Sequence, residues 1–195
     1  MGQHNLQSNK PRPQLNPSSF RIWVHRGDTN VQLNGFSNVE VLPCAAGARR
    51  QIQDFHLRKA GTLHSLYAQA NTAVETVQVQ VAPLDELVKE KQIDFVKIDV
   101  EGGEIEVLKG MRQILQSNPA LRLIVEWNPA ALKRAGHEAE ELPNLLQAAG
   151  FHVSVINEET KCLQSLEQVL DHIRANGQHD KSYSNLFAEK SRARI

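Results

Sequence analysis

The sequence predicts an α/β fold built around a mostly parallel sheet. Strand and helix patterns alternate regularly from residue 77 onward, which is the arrangement expected for parallel strands joined by crossover helices. The apolar run at 93–100 is nearly continuous, as expected for a strand whose two faces are both covered. Helix-stop signals at Pro119 and Gly150 separate successive patterns, which fixes the order of the later elements.

Length, composition and charge indicate one soluble domain. The chain has 195 residues, of which 41% are hydrophobic and 23% charged, and this suits a single globular core. Its 22 basic and 22 acidic residues balance, which argues against a nucleic-acid partner, because such affinity comes largely from neutralising phosphates. The two cysteines lack metal-ligand spacing, no apolar run approaches the ~18 residues needed to span a bilayer, and no signal-peptide pattern opens the chain. We therefore expect a cytoplasmic protein without a membrane partner.

Composition divides the chain into three parts. Residues 1–19 are rich in Gln, Asn, Ser and Pro, which predicts a disordered tail. Residues 20–190 form the predicted α/β domain, and 191–195 form a short basic tail.

The first predicted elements are short. Strand patterns occur at 20–24 and, after a turn signal, at 39–42. Valine at every second position from 77 to 81 predicts a half-buried strand. Pro83 then opens a helical turn at 84–88.

The later elements follow from periodicity and stop signals. Apolar runs predict strands, and apolar residues at helical spacing predict helices. We predict strands at 93–100, 121–125, 151–156 and 183–188, and helices at 105–115, 142–149 and 166–173.

Oxygen-bearing side chains follow two neighbouring strands of this predicted sheet. Asp99 and Glu101 end the strand at 93–100, and Glu126 and Asn128 end the next one. If the two strands are parallel neighbours, these side chains converge at the carboxyl edge of the sheet, where α/β proteins build ligand sites. We call this predicted cluster the acidic rim.

An ordered set of motifs runs from about residue 30 to 190. The most specific motif is DFVKIDVEG at 94–102, followed by EVLKG at 106–110. The supporting motifs are NGFSNV at 34–39, AAG at 45–47, LDEL at 84–87, VEWNP at 125–129 and SNLF at 184–187. In this order, which is far more specific than any one motif alone, they resemble the FkbM-type S-adenosylmethionine-dependent methyltransferases.

The resemblance implies a fold, a cofactor and a reaction. It implies a Rossmann-like class I methyltransferase sheet, mostly parallel with an antiparallel last strand, in which 94–100 is the fourth strand and 121–126 the fifth. It also implies S-adenosylmethionine as cofactor and the hydroxyl group of a sugar, glycan or natural product as methyl acceptor. Ala45 and Ala46 would then leave room for the adenine ring.

The chain departs from the family pattern at its N-terminal end. The family's glycine-rich turn against the methionine part of the cofactor, and its Glu-Pro pair at the ribose, are both missing from the sequence. Asp28 is the candidate replacement for the ribose carboxylate. Because the family's first strand pairs with the fourth, its loss would leave a sheet edge open. Either residues 20–24 or another chain, including a homo-oligomer partner, would fill that place, or the chain is an inactive remnant that serves as an interaction module.

The acidic rim supplies the candidate catalytic groups. A hydroxyl acceptor needs a base or a metal before it can attack a methyl group. Asp99 is the first candidate for contact with the acceptor, the cofactor or a metal, and Glu126 and Asn128 could complete a site for a magnesium-like ion. The alternative is that these side chains cap helices or pair with Lys97, and for Glu101 a capping role is the preferred interpretation.

The remaining candidates concern the acceptor. His64 and Ser65 lie in a polar loop that could line its pocket, although a surface role is the more common one for such residues. Trp127 could stack on the acceptor or belong to the core. A metal-dependent hydrolase at the same rim is a weaker alternative, because no nucleophile motif accompanies the carboxylates.

Overall fold

A computed structural model describes residues 27–58, 66–67, 73–88, 92–176 and 184–190. The predicted tails at 1–19 and 191–195, the predicted strand at 20–24 and the candidate residues His64 and Ser65 lie outside the described residues.

The first described element is a helical segment. Residues 27–33 are helical (α1), and residues 34–44 are irregular. The strand predicted at 39–42 is wrong, because the described residues provide no neighbouring strand for it. Val39 and Leu42 are 48% and 40% exposed, respectively.

A three-stranded sheet follows, consisting of β1 (Ala45–Ala46), β2 (Gln51–Arg58) and β3 (Ala73–Ala82). The strand order is β1-β3-β2, with β1 parallel and β2 antiparallel to β3. Val77, Val79 and Val81 are buried, whereas the residues between them are exposed. The alternation predicted for this strand is therefore confirmed, and α2 (Leu84–Leu87) follows it as expected.

A separate five-stranded sheet is formed by later parts of the chain. Its strands are β4 (Phe95–Ile98), β5 (Arg122–Trp127), β6 (Phe151–Asn157), β7 (Cys162–Ser165) and β8 (Ser184–Lys190). The order is β4-β5-β8-β6-β7, and β4 and β5 are parallel. Strand β8 runs antiparallel to β5 and β6, and β7 runs antiparallel to β6.

This sheet is mixed, which corrects the prediction of a mostly parallel one. Strand β8 inserts in the opposite direction between β5 and β6, as the resemblance implied for the last strand. The unexpected strand β7 arises from a tight hairpin after β6. There, the Asn157 side chain accepts hydrogen bonds from the N–H groups of Glu159 and Thr160, both at 2.9 Å, and this stabilises the turn.

Five helices cover this sheet: α3 (Glu104–Lys109), α4 (Arg112–Ser117), α5 (Pro129–Arg134), α6 (Glu141–Ala148) and α7 (Leu166–Asn176). The single helix predicted over 105–115 is in fact two. They meet at Gly110, where a Cβ atom would overlap the carbonyl oxygen of Gly47. The Asp85 carboxylate then accepts the N–H groups of Gln113 and Ile114, each at 3.0 Å, so a side chain from α2 caps α4.

The main core lies between the five-stranded sheet and these helices. Its largest fully buried side chains are Trp127, Leu108, Met111, Leu121, Leu123, Leu132, Leu142, Leu146 and Leu186. A smaller cluster around Val79 lies under the three-stranded sheet. Among the described helices, none is both long and apolar enough to cross a bilayer.

Strand β4 forms an open edge of the sheet in the part of the chain that is described. Its neighbour there is β5 alone, and Phe95 is 49% exposed. The prediction that both faces of this strand are covered is therefore wrong. Leu33 and Phe36 are also largely exposed, so several large apolar side chains have no cover within the described ranges.

Candidate functional site

The acidic rim predicted from the sequence is present at the carboxyl ends of β4 and β5. The parallel register pairs Ile98 with Val125, so the residues that follow each strand lie side by side. Carboxylate oxygens of Asp99, Glu101 and Glu126 all lie within 4.8 Å of one another. The predicted convergence of these three residues is confirmed.

Asp99 is held by an exposed ion pair. The Lys97 ammonium donates to Asp99 Oδ2 at 2.7 Å, and this hydrogen bond raises the pKa of Lys97. Both side chains are about half exposed, so the pair contributes little to stability. The pairing with Lys97 that the sequence left open is therefore observed, and solvent or a ligand can still reach Asp99.

Glu126 differs from Asp99 in its burial. Burial first, and then the nearby carboxylates of Asp99, Glu101 and Glu104, raise the pKa of Glu126 to about 7. Its Oε2 atom is buried without a hydrogen-bond partner among the described residues. A carboxyl group with a pKa near neutral pH can both accept and release a proton, which is the property a general base needs.

The turn between β4 and α3 depends on Glu104 and on Gly102. Glu104 is 0% exposed, and its Oε1 atom accepts the N–H groups of Val100 at 3.2 Å and Gly102 at 3.1 Å. Gly102 has a φ of +103°, and a Cβ atom there would lie 2.7 Å from the carbonyl oxygen of Ala131. The glycine is therefore required by the turn and by close packing.

Glu104 accepts backbone N–H groups of the turn that precedes α3. The N-cap residue of α3 is Gly103, which has no side chain to cap the helix. Glu101 has a φ of +53° and belongs to the rim, and its capping of α3 stays a prediction. Burial raises the pKa of Glu104, whose Oε2 atom has no partner among the described residues.

Two other candidates near the rim have structural roles. The Asn128 side chain accepts the N–H of Ala131 at 3.1 Å and caps α5. Trp127 is 1% exposed, and its Nε1 donates to the carbonyl oxygen of Ala139 at 2.7 Å. Trp127 is therefore a core residue, and its predicted stacking on an acceptor is wrong because its ring offers no accessible face.

The candidates for cofactor contact other than Asp99 lie outside the acidic rim. Asp28 is an exposed residue of α1, so it does not occupy the strand-end position expected of a ribose carboxylate. Ala45 and Ala46 form β1, which pairs with Val81 and Ala82 of β3. Ala46 also borders a cavity.

That cavity was not predicted from the sequence. It has a volume of about 210 Å³ and lies between the three-stranded sheet and helix α3. Its polar lining includes Gln51, Gln53, Tyr67, Glu106 and His137. These residues come from separate parts of the chain, so the sequence does not show that they meet. The one local pattern in the sequence that points to this site is the spacing of four residues between His137 and Glu141, whose side chains form a hydrogen bond.

Comparisons with known proteins add a family assignment. A family model described as a methyltransferase FkbM domain matches residues 6–153. The structure of methyltransferase FkbM from Methylobacillus flagellatus KT matches 86% of this chain with 15% identity and a TM-score of 0.49, and the match covers 34% of that protein. The chain thus spans about one third of the length of that structure. Comparison with curated protein sequences gives no match.

Proposed function

Because the chain belongs to the FkbM methyltransferase domain family, we propose that it transfers a methyl group from S-adenosylmethionine to a hydroxyl group of a sugar, glycan or natural product. The observation that carries this proposal is the convergence of Asp99, Glu101 and Glu126 at the carboxyl edge of two parallel strands. The strand order β4-β5-β8-β6 with an antiparallel β8 supports a Rossmann-like sheet with reduced N-terminal strands as part of the same proposal.

The carboxylate oxygens of the rim suit part of the cofactor. S-adenosylmethionine supplies an electrophilic methyl group on a positively charged sulfur, together with an ammonium group and ribose hydroxyls that need hydrogen-bond acceptors. The rim offers carboxylate oxygens of Asp99 and Glu101, and Glu126 Oε2 is buried without a partner in the described part of the chain.

Within this proposal Glu126 is the general base and Asp99 positions the acceptor. The pKa of Glu126 is about 7, so its carboxylate can take the proton of an acceptor hydroxyl near neutral pH. Asp99 is exposed and lies within the same cluster, so it can hold the hydroxyl in line with the methyl group.

A magnesium-like ion is the alternative to a protein base within this proposal. Carboxylate oxygens are the ligands such ions prefer, and Asp99, Glu101 and Glu126 are close enough to share one. The proposed contribution of Asn128 would be secondary, because its side-chain oxygen already caps α5.

Calorimetric titration with S-adenosylhomocysteine, followed by methyl transfer assays on sugars and polyketides, tests the proposed function. We expect micromolar binding by the wild type, and we expect Asp99→Ala to reduce turnover by about a hundredfold or more because the acceptor loses its positioning group. Lys97→Ala is the matched control, since it removes the ion-pair partner but keeps the carboxylate. A folded wild-type chain that does not bind S-adenosylhomocysteine would overturn the proposal, and full turnover by Asp99→Ala would overturn the role of Asp99.

A further inference from the structure

The cavity between the three-stranded sheet and α3 combines a small apolar wall with a polar one. The apolar wall comes from Leu66, Val81 and short residues that include Ala46, Gly47 and Ala135. At about 210 Å³ the cavity is smaller than the roughly 300 Å³ at which sites for drug-sized ligands begin. Its size therefore suits a ligand of about one six-membered ring.

The charge of the lining disfavours anions. Among the described residues that line the cavity, Glu106 is the one carboxylate, and none is a lysine or an arginine. Lys109 pairs with Glu106 at 2.6 Å but does not itself line the cavity. An anionic ligand would have to compete with Glu106 for this lysine, whereas a neutral ligand with hydroxyl donors would not.

His137 is oriented by a carboxylate on the side away from the cavity. Its Nδ1 lies 2.9 Å from Glu141 Oε2, and Glu141 Oε1 accepts the N–H of Glu138 at 2.9 Å. That backbone hydrogen bond first, and then His137, lower the pKa of Glu141, so Glu141 is an anion that accepts a hydrogen bond from the Nδ1–H group of His137. The other ring nitrogen, Nε2, is then an acceptor in the neutral imidazole.

Glu106 and His137 present two neighbouring hydrogen-bond acceptor atoms that are not bonded to each other. His137 Nε2 lies 3.9 Å from Glu106 Oε1, which is too far for a direct hydrogen bond. Two neighbouring hydroxyl groups of a ligand could donate one hydrogen bond to each atom. Gln53 adds a donor, because its side-chain oxygen already accepts from Gln51 Nε2 at 2.9 Å and its amide NH₂ points to no partner among the described residues.

An aromatic ring completes the lining. Tyr67 borders the cavity, and burial first, followed by the charges of Glu106 and Glu104, raises the pKa of its phenol. The phenol is therefore neutral and close to the carboxylates. An aromatic ring beside amides and a carboxylate matches a ring ligand that has apolar C–H groups on its face and hydroxyls on its rim.

We propose that this cavity binds a neutral, polyhydroxylated ring of monosaccharide size, with neighbouring hydroxyls donating to Glu106 and His137. As a methyl-acceptor site it rests on the proposed function, since Gly103 belongs both to the cavity wall and to the turn below the rim. As a binding site it requires no cofactor. The inference therefore names the class of acceptor and the residues that select it.

Titration by NMR in the absence of cofactor tests this site, with the imidazole resonances of His137 as the readout. The probes are methyl α-glucoside, methyl α-mannoside and methyl α-galactoside, compared with glucose 6-phosphate and 1,4-diaminobutane. We expect at least one neutral glycoside to shift the His137 resonances saturably, and we expect the sugar phosphate to bind at least about tenfold more weakly because it meets Glu106.

Matched variants locate the binding. Glu106→Gln and His137→Ala should each weaken glycoside binding about tenfold or more, which corresponds to one lost hydrogen bond to a charged or oriented acceptor. His137→Ala lacks the imidazole, so in this variant the amide resonances of Gln53 and Gly103 report binding. If His137→Ala does not fold, the conservative variant Glu106→Gln still tests the site. His152→Ala is the control, because His152 is an exposed residue of β6 and should leave binding unchanged.

Three results would overturn the inference: no saturable shift with any glycoside, a stronger response to the diamine than to every glycoside, or unchanged glycoside binding in Glu106→Gln. Because no cofactor is present, these results are independent of the S-adenosylhomocysteine titration. Glycoside binding without cofactor binding would refute the proposed methyl transfer and leave this site standing, and the reverse result would refute this site alone.

Discussion

At the scale of single residues, the two rim carboxylates differ because one is exposed and the other is partly buried. Asp99 lies at the surface with Lys97 as its partner, whereas Glu126 loses water contact and has three carboxylates around it. Two carboxylates whose environments differ in this way can take different chemical roles, one holding a charge and the other moving a proton. Under the proposed function, Asp99 would position the acceptor and Glu126 would transfer the proton.

The raised pKa of Glu126 predicts opposite pH dependences for stability and activity. Between pH 4.5 and about 7 the unfolded chain ionises Glu126 while the folded chain keeps it protonated, so its contribution to the free energy of unfolding falls as pH rises through this window. Activity should rise through the same window, because the base must be ionised.

Glu126→Gln should therefore become more stable than the wild type by about 1 kcal/mol above pH 7, a value well below the full cost of the shift because the carboxyl group is partly exposed to solvent. Urea denaturation at pH 5 and pH 8 measures this difference, and Glu159→Gln, an exposed residue of the β6–β7 turn, is the control. Equal stability of Glu126→Gln and wild type at both pH values would contradict the burial of this carboxyl group.

At the scale of elements, Asp85 links two helices that are distant in sequence. It lies in α2 and accepts the first free N–H groups of α4, while its own N–H donates to the carbonyl oxygen of Gly110 at 3.0 Å. One residue therefore satisfies backbone groups on both sides of the break between α3 and α4. This gives the LDEL motif a structural role next to the three-stranded sheet.

Asp85→Ala should destabilise the fold by about 1–2 kcal/mol, because it removes the side-chain cap of α4. For a chain of this length this corresponds to a fall in melting temperature of about 2–4 °C per kcal/mol, measurable by circular dichroism. Glu86→Ala, in the same helix, removes only an exposed ion pair with Arg50 and should cost less than about 1 kcal/mol. Equal effects of the two substitutions would show that the cap does not stabilise α4.

The sequence predicted the elements whose signals are local. Apolar periodicity was sufficient for β3 and α6, and the parallel pairing of β4 with β5 was sufficient to bring the rim carboxylates together. The break at Gly110 was not predictable, because it depends on a carbonyl group of Gly47, far away in sequence. Trp127 was ambiguous because alternation along a strand does not reveal which face the helices cover. The cavity required knowledge of how the three-stranded sheet packs against α3.

At the scale of the whole molecule, the main feature is an uneven distribution of apolar surface. The core between the five-stranded sheet and its helices is closed, whereas Phe95 on β4 and Leu33 on α1 remain exposed in the described structure. An open strand edge beside apolar side chains favours pairing with another strand. We propose that β4 of a second copy of this chain pairs with this edge. Two identical edges that run antiparallel about a twofold axis can satisfy each other's backbone hydrogen-bonding groups.

Phe95→Lys should reduce self-association, because a charged side chain on an edge strand opposes edge-to-edge pairing. Sedimentation velocity over a range of concentrations measures the change, with an expected weakening of about tenfold or more. Leu163→Lys is the matched control, since Leu163 is exposed on β7 at the opposite edge of the same sheet. A wild type that stays monomeric at high concentration would refute the proposal, and equal effects of the two variants would refute the role of β4.

The position of β8 has a consequence for how the chain acquires its structure. Strands β5 and β6 are neighbours in sequence order, yet they never pair with each other, because β8 comes between them. During synthesis, the edges of β5 and β6 that later pair with β8 stay unpaired until β8 has been made and inserts between them. The middle of the sheet is therefore the last part to form. We expect nascent chains to depend on chaperones, and we expect the docking of β8 to limit the rate of folding.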